Sequence, residues 1–208
     1  MRHDPQPGDS LRRIVLVRHG RSAHLHTGWV DIDGFRRWRE AYEAAALREG
    51  ERPPAELVAL GASADLVVSS DAPRAVASAR LLAVNGPVET SPLLRELDLE
   101  APALGTLRMP LFAWAVAVGA RSALLARRER DRRSAETQRI LAAATWLDQL
   151  SASRPTTVAV THASVRRRLW KELLRLGWRP ESSERSWAPW SAWSLHHPTR
   201  SRPDGPSA

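Results

Sequence analysis

The sequence predicts an α/β protein, a three-layer α/β/α sandwich around a mainly parallel sheet. Three observations carry this. Short apolar runs rich in β-branched residues, at 13–18, 65–70 and 156–161, read as buried parallel strands. Segments with helical apolar spacing fill the intervals, as at Phe35, Trp38, Tyr42 and Ala45. Each strand also ends in polar residues that lead toward a helix, the edge where open α/β sheets build their sites.

The elements follow in order. After the first strand, 19–33 reads as a loop and 34–48 as an amphipathic helix. A turn at 51–54 leads to a short helix over 54–60, which Gly61 is expected to close. The second strand runs into Asp71-Ala72-Pro73-Arg74, with Asp71 as the expected cap and Pro73 in the first turn of a helix reaching Leu82. Residues 88–90 form a third, short strand, and 91–108 a loop carrying Glu96, Asp98 and Glu100. The span 109–128 is helical and unusually apolar. Ser134 is the expected cap of the next helix, which runs to Leu150 with Ile140, Ala144 and Leu147 inward. A strand over 156–161, a helix over 164–176 and a last strand over 193–196 complete the order. Residues 1–197 read as one domain and the Pro/Ser/Gly-rich 198–208 as a disordered tail. Within 100–130, the apolar run 109–120 has three readings: a cap over the site, an oligomer contact, or a core helix.

Composition bounds the function. The 208 residues are 43% apolar and 26% charged, ordinary for a soluble globular chain. There is no cysteine, which excludes disulfides, thiolate nucleophiles and cysteine-based metal centres. No segment matches a signal peptide, and 109–120 is too short to span a bilayer, so a soluble cytoplasmic protein is expected, with no membrane partner. The net charge is +8, but Lys171 is the single lysine among 31 basic residues. That bias, together with the acids interrupting the basic run at 127–133, argues against a nucleic-acid partner.

Four short words carry chemistry. They are Leu16-Val17-Arg18-His19-Gly20-Arg21-Ser22, Ser69-Ser70-Asp71-Ala72-Pro73-Arg74-Ala75, Leu94-Arg95-Glu96 and Val160-Thr161-His162-Ala163. A phosphoryl group in transfer spreads negative charge over its equatorial oxygens, so positioning and cationic clamping do most of the work. Arginine suits this through its planar fork of donors and its permanent charge. Guanidinium groups near His19 disfavour imidazolium and so favour a nucleophilic ring. No metal or cofactor is required, since arginine and histidine supply the positive charge.

In order and setting, these words resemble the histidine phosphatase superfamily, the group that includes cofactor-dependent phosphoglycerate mutases and many phosphatases. The resemblance spans 13–196 and implies a phosphoglycerate mutase-like fold. It implies that His19 is the phosphoryl-accepting nucleophile, that Arg18 and Arg74 bind the phosphate oxygens together with His19 and His162, that His162 stabilises the transferring group, and that Glu96 is the general acid, with Asp98 the open alternative. Asp31-Ile32-Asp33-Gly34, and the pair Ser134 and Glu136, resemble further family segments.

The chain departs from the family where Arg21 and Leu25 replace a common carboxylate or amide and a common asparagine. His24 and His26 are candidates to replace the lost contact; as a His-x-His pair they lack an evident third metal ligand. The glycine-rich word typical of mutases is absent after Asp98. A phosphomonoester hydrolase is therefore the leading expectation, acting on a small phosphorylated substrate or a phosphoprotein. A mutase-type phosphotransferase and a non-catalytic phosphate-binding module are the alternatives. A serine hydrolase using Ser70 or Ser164 with His162 lacks the Gly-x-Ser-x-Gly elbow. Oligomeric state stays open.

Overall fold

A computed structural model describes residues 11–24, 27–84, 86–97, 101–102, 105–125, 130–183 and 185–198. The strands are β1 (Leu11–Arg18), β2 (Trp29–Val30), β3 (Leu66–Ser70), β4 (Val88–Ser91), β5 (Met109–Pro110), β6 (Thr156–Thr161), β7 (Arg179–Pro180) and β8 (Ala192–Pro198). The helices are α1 (Ile32–Ala44), α2 (Ala55–Ala62), α3 (Pro73–Leu82), α4 (Leu111–Leu125), α5 (Arg130–Ser153) and α6 (Ala163–Arg175), with one 3₁₀ turn at Pro92–Leu94.

Strand alternation explains the layers. Along β1, Ile14 and Leu16 face one side and join Leu147 of α5 and Leu169 of α6. Val15 and Val17 face the other and join Leu57 of α2 and Ala75 and Ala79 of α3. Both faces are dry, as the continuous apolar run requires. The sheet order is β4-β3-β6-β1-β8-β7. β1, β3, β4 and β6 are mutually parallel; β8 runs antiparallel to β1, and β7 to β8. This is the mixed α/β sandwich the patterning predicts.

Several local expectations are corrected. Gly61 does not end α2 but lies inside it, buried, where an added Cβ would meet the Leu82 carbonyl oxygen at 2.5 Å. Its service is close helix packing, which an apolar pattern cannot announce. Asp71 does not cap α3, whose first residue follows Ala72. Instead Asp71 accepts Nε and NH2 hydrogen bonds from Arg95, at 2.6–2.8 Å and 2.5 Å. α5 begins at Arg130, which places Ser134 inside the helix rather than at its cap. α1 begins earlier than expected because Asp31 caps it, accepting from the Gly34 amide at 2.8 Å.

The apolar run 109–120 is not a core helix of the main sheet. α4 buries Leu111, Trp114 and Val118 against Phe35 of α1 in a cluster of its own. Phe112 and Val116 on its opposite side are 73% and 69% exposed. β5 pairs with β2 in a separate two-stranded sheet, which takes Trp29–Val30 from the stretch read as loop and Met109–Pro110 from the stretch read as helix. Among the described residues, no helix is long and apolar enough to cross a membrane.

Candidate active site

Register builds the centre of the site. In the parallel β1–β6 pair, Arg18 lies opposite Thr161, so the residues that follow, His19 and His162, leave the sheet side by side. The His19 amide continues the ladder by donating to the Thr161 carbonyl at 3.0 Å. The two rings meet edge to face with centroids 4.9 Å apart. Next in the sheet, β3 ends at Ser70 and α3 begins, carrying Arg74 in its first turn. Gly20 is needed just after His19, since a Cβ there would fall 2.5 Å from the Trp190 ring.

Arg74 is fully buried and bridges both histidines. Its Nε donates to His19 Nε2 at 3.3 Å, and its NH2 donates to His162 Nδ1 at 3.2 Å. A guanidinium only donates, so both ring nitrogens act as acceptors. His19 then carries its proton on Nδ1, which donates to the Gly20 carbonyl at 2.6 Å. That tautomer aims the Nε2 lone pair into the site. His162 carries its proton on Nε2 and donates to Ser70 Oγ at 3.0 Å. Ser70 thus faces a donor rather than a base, which disfavours the serine hydrolase alternative.

Arg18 and Glu96 lie within electrostatic reach of this centre: Arg18 acts on His162, and both Arg18 and Arg74 act on Glu96. Arg18 donates from NH1 to the Trp187 carbonyl. Glu96 accepts from the Leu97 amide at 2.9 Å. Its loop is fixed from two elements: Thr161 Oγ1 donates to the Leu94 carbonyl at 2.8 Å, and Arg139 of α5 donates to the carbonyls of Leu93 and Arg95, each at 2.8 Å. Glu136 serves that clamp by pairing with Arg139 at 2.7 Å. Asp98, Glu100, Leu25 and His26 lie outside the described residues. His24 is half-buried, with its ring 5.6 Å from that of Trp38 and its Nε2 buried without a hydrogen bond.

The environment polarises titration. Burial above all, then His19, Arg74, Arg139 and Arg18, push His162 well below the ordinary histidine value, which keeps its ring neutral. Protein crowding raises the Glu96 carboxyl above the usual carboxylate value; the Leu97 amide opposes this and the Glu43 charge adds to it. A carboxyl whose proton is held more firmly than usual is suited to general-acid work, although the Arg74 and Arg18 charges oppose the shift.

Neither a protein-family model nor a curated protein matches this sequence. Solved structures do match. Mycobacterial hydrolase 1 superposes with a TM-score of 0.54 at 21% identity, over 89% of this chain and 91% of that one. A mycobacterial glucosyl-3-phosphoglycerate phosphatase gives 0.50 at 22% identity, over 79% and 80%. Mycobacterial hydrolase 2 gives 0.50 at 23%, over 79% and 73%. The chain shares with these structures a phosphoglycerate mutase-like fold. Within that phosphoglycerate mutase-like fold, the site lies where doubly wound sheets place their ligands, beyond the carboxyl ends of β1, β3 and β6.

Sequence reasoning missed three residues at this candidate site. Arg166 is fully buried on the first turns of α6. It donates to the Ser191 and Ser186 carbonyls at 2.6 Å and 2.9 Å and so holds the 186–191 segment whose Trp187 carbonyl receives Arg18. Burial, then Arg18, lowers its pKa to about 9. Its spacing of four from His162 put both on one helix face, a signal hidden in a run of three arginines. Tyr42 and Glu43, at the end of α1, both contact Arg74; nothing in the sequence pointed there.

Proposed function

We propose that the protein is a metal-independent phosphomonoester hydrolase working through a phosphohistidine on His19. The observation that carries this reading is the buried guanidinium of Arg74 set between two histidine rings, with the His19 Nε2 lone pair facing inward. A phosphoryl group placed among these three groups meets a nucleophile and cationic donors at once. The glucosyl-3-phosphoglycerate phosphatase that shares the fold supports phosphate-ester chemistry, though its substrate is not carried over.

His19 Nε2 attacks phosphorus while Arg74 and Arg18 turn their donors onto the equatorial oxygens. The P–O bond to the leaving group breaks, an N–P bond forms, and Glu96 gives its proton to the departing oxygen. His162 supports the phosphoryl group from the opposite side. It shifts its proton to Nδ1, facing the anion, while the Ser70 hydroxyl rotates to donate to Nε2. Water, deprotonated by Glu96, then attacks phosphorus, the N–P bond breaks, and free phosphate leaves.

The test is hydrolysis of an aryl phosphate in excess chelator. The native chain is expected to turn over, and His19→Ala to lose at least about a thousandfold in kcat/KM. Full activity in His19→Ala overturns the reading. Glu96→Gln is expected to fail most on esters with poor leaving groups; an equal loss across leaving groups removes Glu96 from the acid role.

A further inference from the structure

Arg74 has five N–H groups to give. Four are committed to His19 Nε2, His162 Nδ1 and the carbonyls of Tyr42 and Glu43, the last two at 2.7 Å and 3.1 Å. Those carbonyls belong to the last turn of α1, where the Tyr42 carbonyl also accepts from the Ala45 amide at 3.2 Å, so Arg74 adds to the closure of that helix. The Tyr42 ring lies under the guanidinium, 4.1 Å from Cζ. What remains of NH2 meets the Glu43 carboxylate at 3.5 Å. The two partners differ sharply in exposure: the Arg74 side chain is at 0% and that of Glu43 at 45%. The ion pair therefore runs from the buried centre to solvent, and its carboxylate is close enough to Glu96 for its charge to raise that carboxyl's pKa.

We propose that Glu43 is a specificity-determining residue of this site. It competes with the phosphate group for Arg74 and selects phosphomonoesters whose leaving group is neutral or cationic over those carrying a second anion. This rests on the hydrolase reading for its substrates, but not for its binding term. An entering phosphate takes over the NH2 donor and leaves the Glu43 charge unpaired beside it. A leaving group with its own carboxylate adds a second repulsion at the mouth, whereas an ammonium group relieves the first. Tyr42 is a positioning residue in this scheme, since ring and carbonyl together fix the guanidinium plane.

The deciding experiment is calorimetric titration of the native chain, Glu43→Gln and Glu43→Asp with inorganic phosphate. Glu43→Gln is expected to bind phosphate roughly tenfold more tightly, the size expected for removing one charge at this range in a partly solvated site. Glu43→Asp, which keeps the charge, is expected to stay near the native value. A gain in affinity is a result that structural damage does not produce. Unchanged or weaker binding in Glu43→Gln overturns the proposal. In the same proteins, the ratio of kcat/KM for phosphoethanolamine over phosphoglycolate is expected to fall about tenfold in Glu43→Gln; an unchanged ratio overturns the substrate preference. If phosphate binding tightens but the native chain turns over no ester, the hydrolase reading fails and the role of Glu43 in binding stands. If His19→Ala abolishes turnover while Glu43→Gln leaves phosphate binding unchanged, the reverse holds.

Discussion

Strand β1 carries arginine near both ends, and the two ends behave oppositely. At the amino end, Arg13 meets Glu181 in a two-point pair, with Nε and NH2 at 2.8 Å and 2.7 Å from the two carboxylate oxygens. Both side chains are about one-third exposed, and His196 lines the shallow hollow beside them. At the carboxyl end, Arg18 gives NH1 to a carbonyl, and buried Arg74 and Arg166 stand nearby with two buried histidines. The same residue types are present at both ends. One end neutralises each cation with a carboxylate in reach of water. The other gathers cations out of water and compensates them mostly with carbonyl dipoles. A structural ion pair has no use for uncompensated charge; an anion site does.

Replacing Arg74 by lysine is the most severe way to break this contrast. Lysine keeps the charge but loses the fork that reaches His19, His162 and the end of α1 together. Activity toward an aryl phosphate is expected to fall by roughly 10²- to 10³-fold, the size of a lost preorganised donor. Near-native kcat/KM would mean that positive charge alone suffices and that the bridging geometry is incidental.

The pH dependence of stability sharpens the same contrast. Because burial holds His162 well below its unfolded value, the unfolded chain binds that proton more readily. The contribution of a neutral His162 is complete above about pH 6.5, the unfolded value, and is lost as pH falls below it. Glu96 has the opposite sign: its raised value disfavours the charged form, so protonation on acidification favours the fold. Thermal melts between pH 7 and pH 5 are expected to show a loss on the order of 1 kcal/mol in the native chain that His162→Gln lacks. Parallel curves for the two proteins would mean that the ring is protonated in the fold.

Much of this architecture was legible because it is periodic. The continuous apolar run of β1 marked a buried parallel strand, and strand ends located His19 and His162. Arg74 was legible because Pro73 marks a helix start directly after a strand. What stayed hidden depends on contacts between distant elements. Gly61 looked like a helix stop because sequence does not show Leu82 crossing it. Asp71 looked like a cap because Arg95, 24 residues away, is invisible to local chemistry. Tyr42 looked like one more apolar step along α1, and only the fold reveals that the end of that helix closes on Arg74. Glu43 had no signal at all, since an exposed acid on a helix is ordinarily a solvated one.

The smallest expected effect tests the quiet end of β1. Arg13 and Glu181 form a near-ideal fork, yet both side chains keep solvent contact, and the water that spares them a desolvation cost also screens their attraction. Arg13→Ala is expected to cost less than about 1 kcal/mol, no more than about 2–4 °C in Tm for a chain of this size. Phosphatase activity and phosphate affinity are expected to stay at native values, because the substitution leaves the backbone bond from the Arg13 amide to the Pro155 carbonyl and the β1–β6 register in place. A loss of activity without a loss of stability would mean that charge at the amino end of β1 reaches the anion site through the strand, and the division between the two ends would fail.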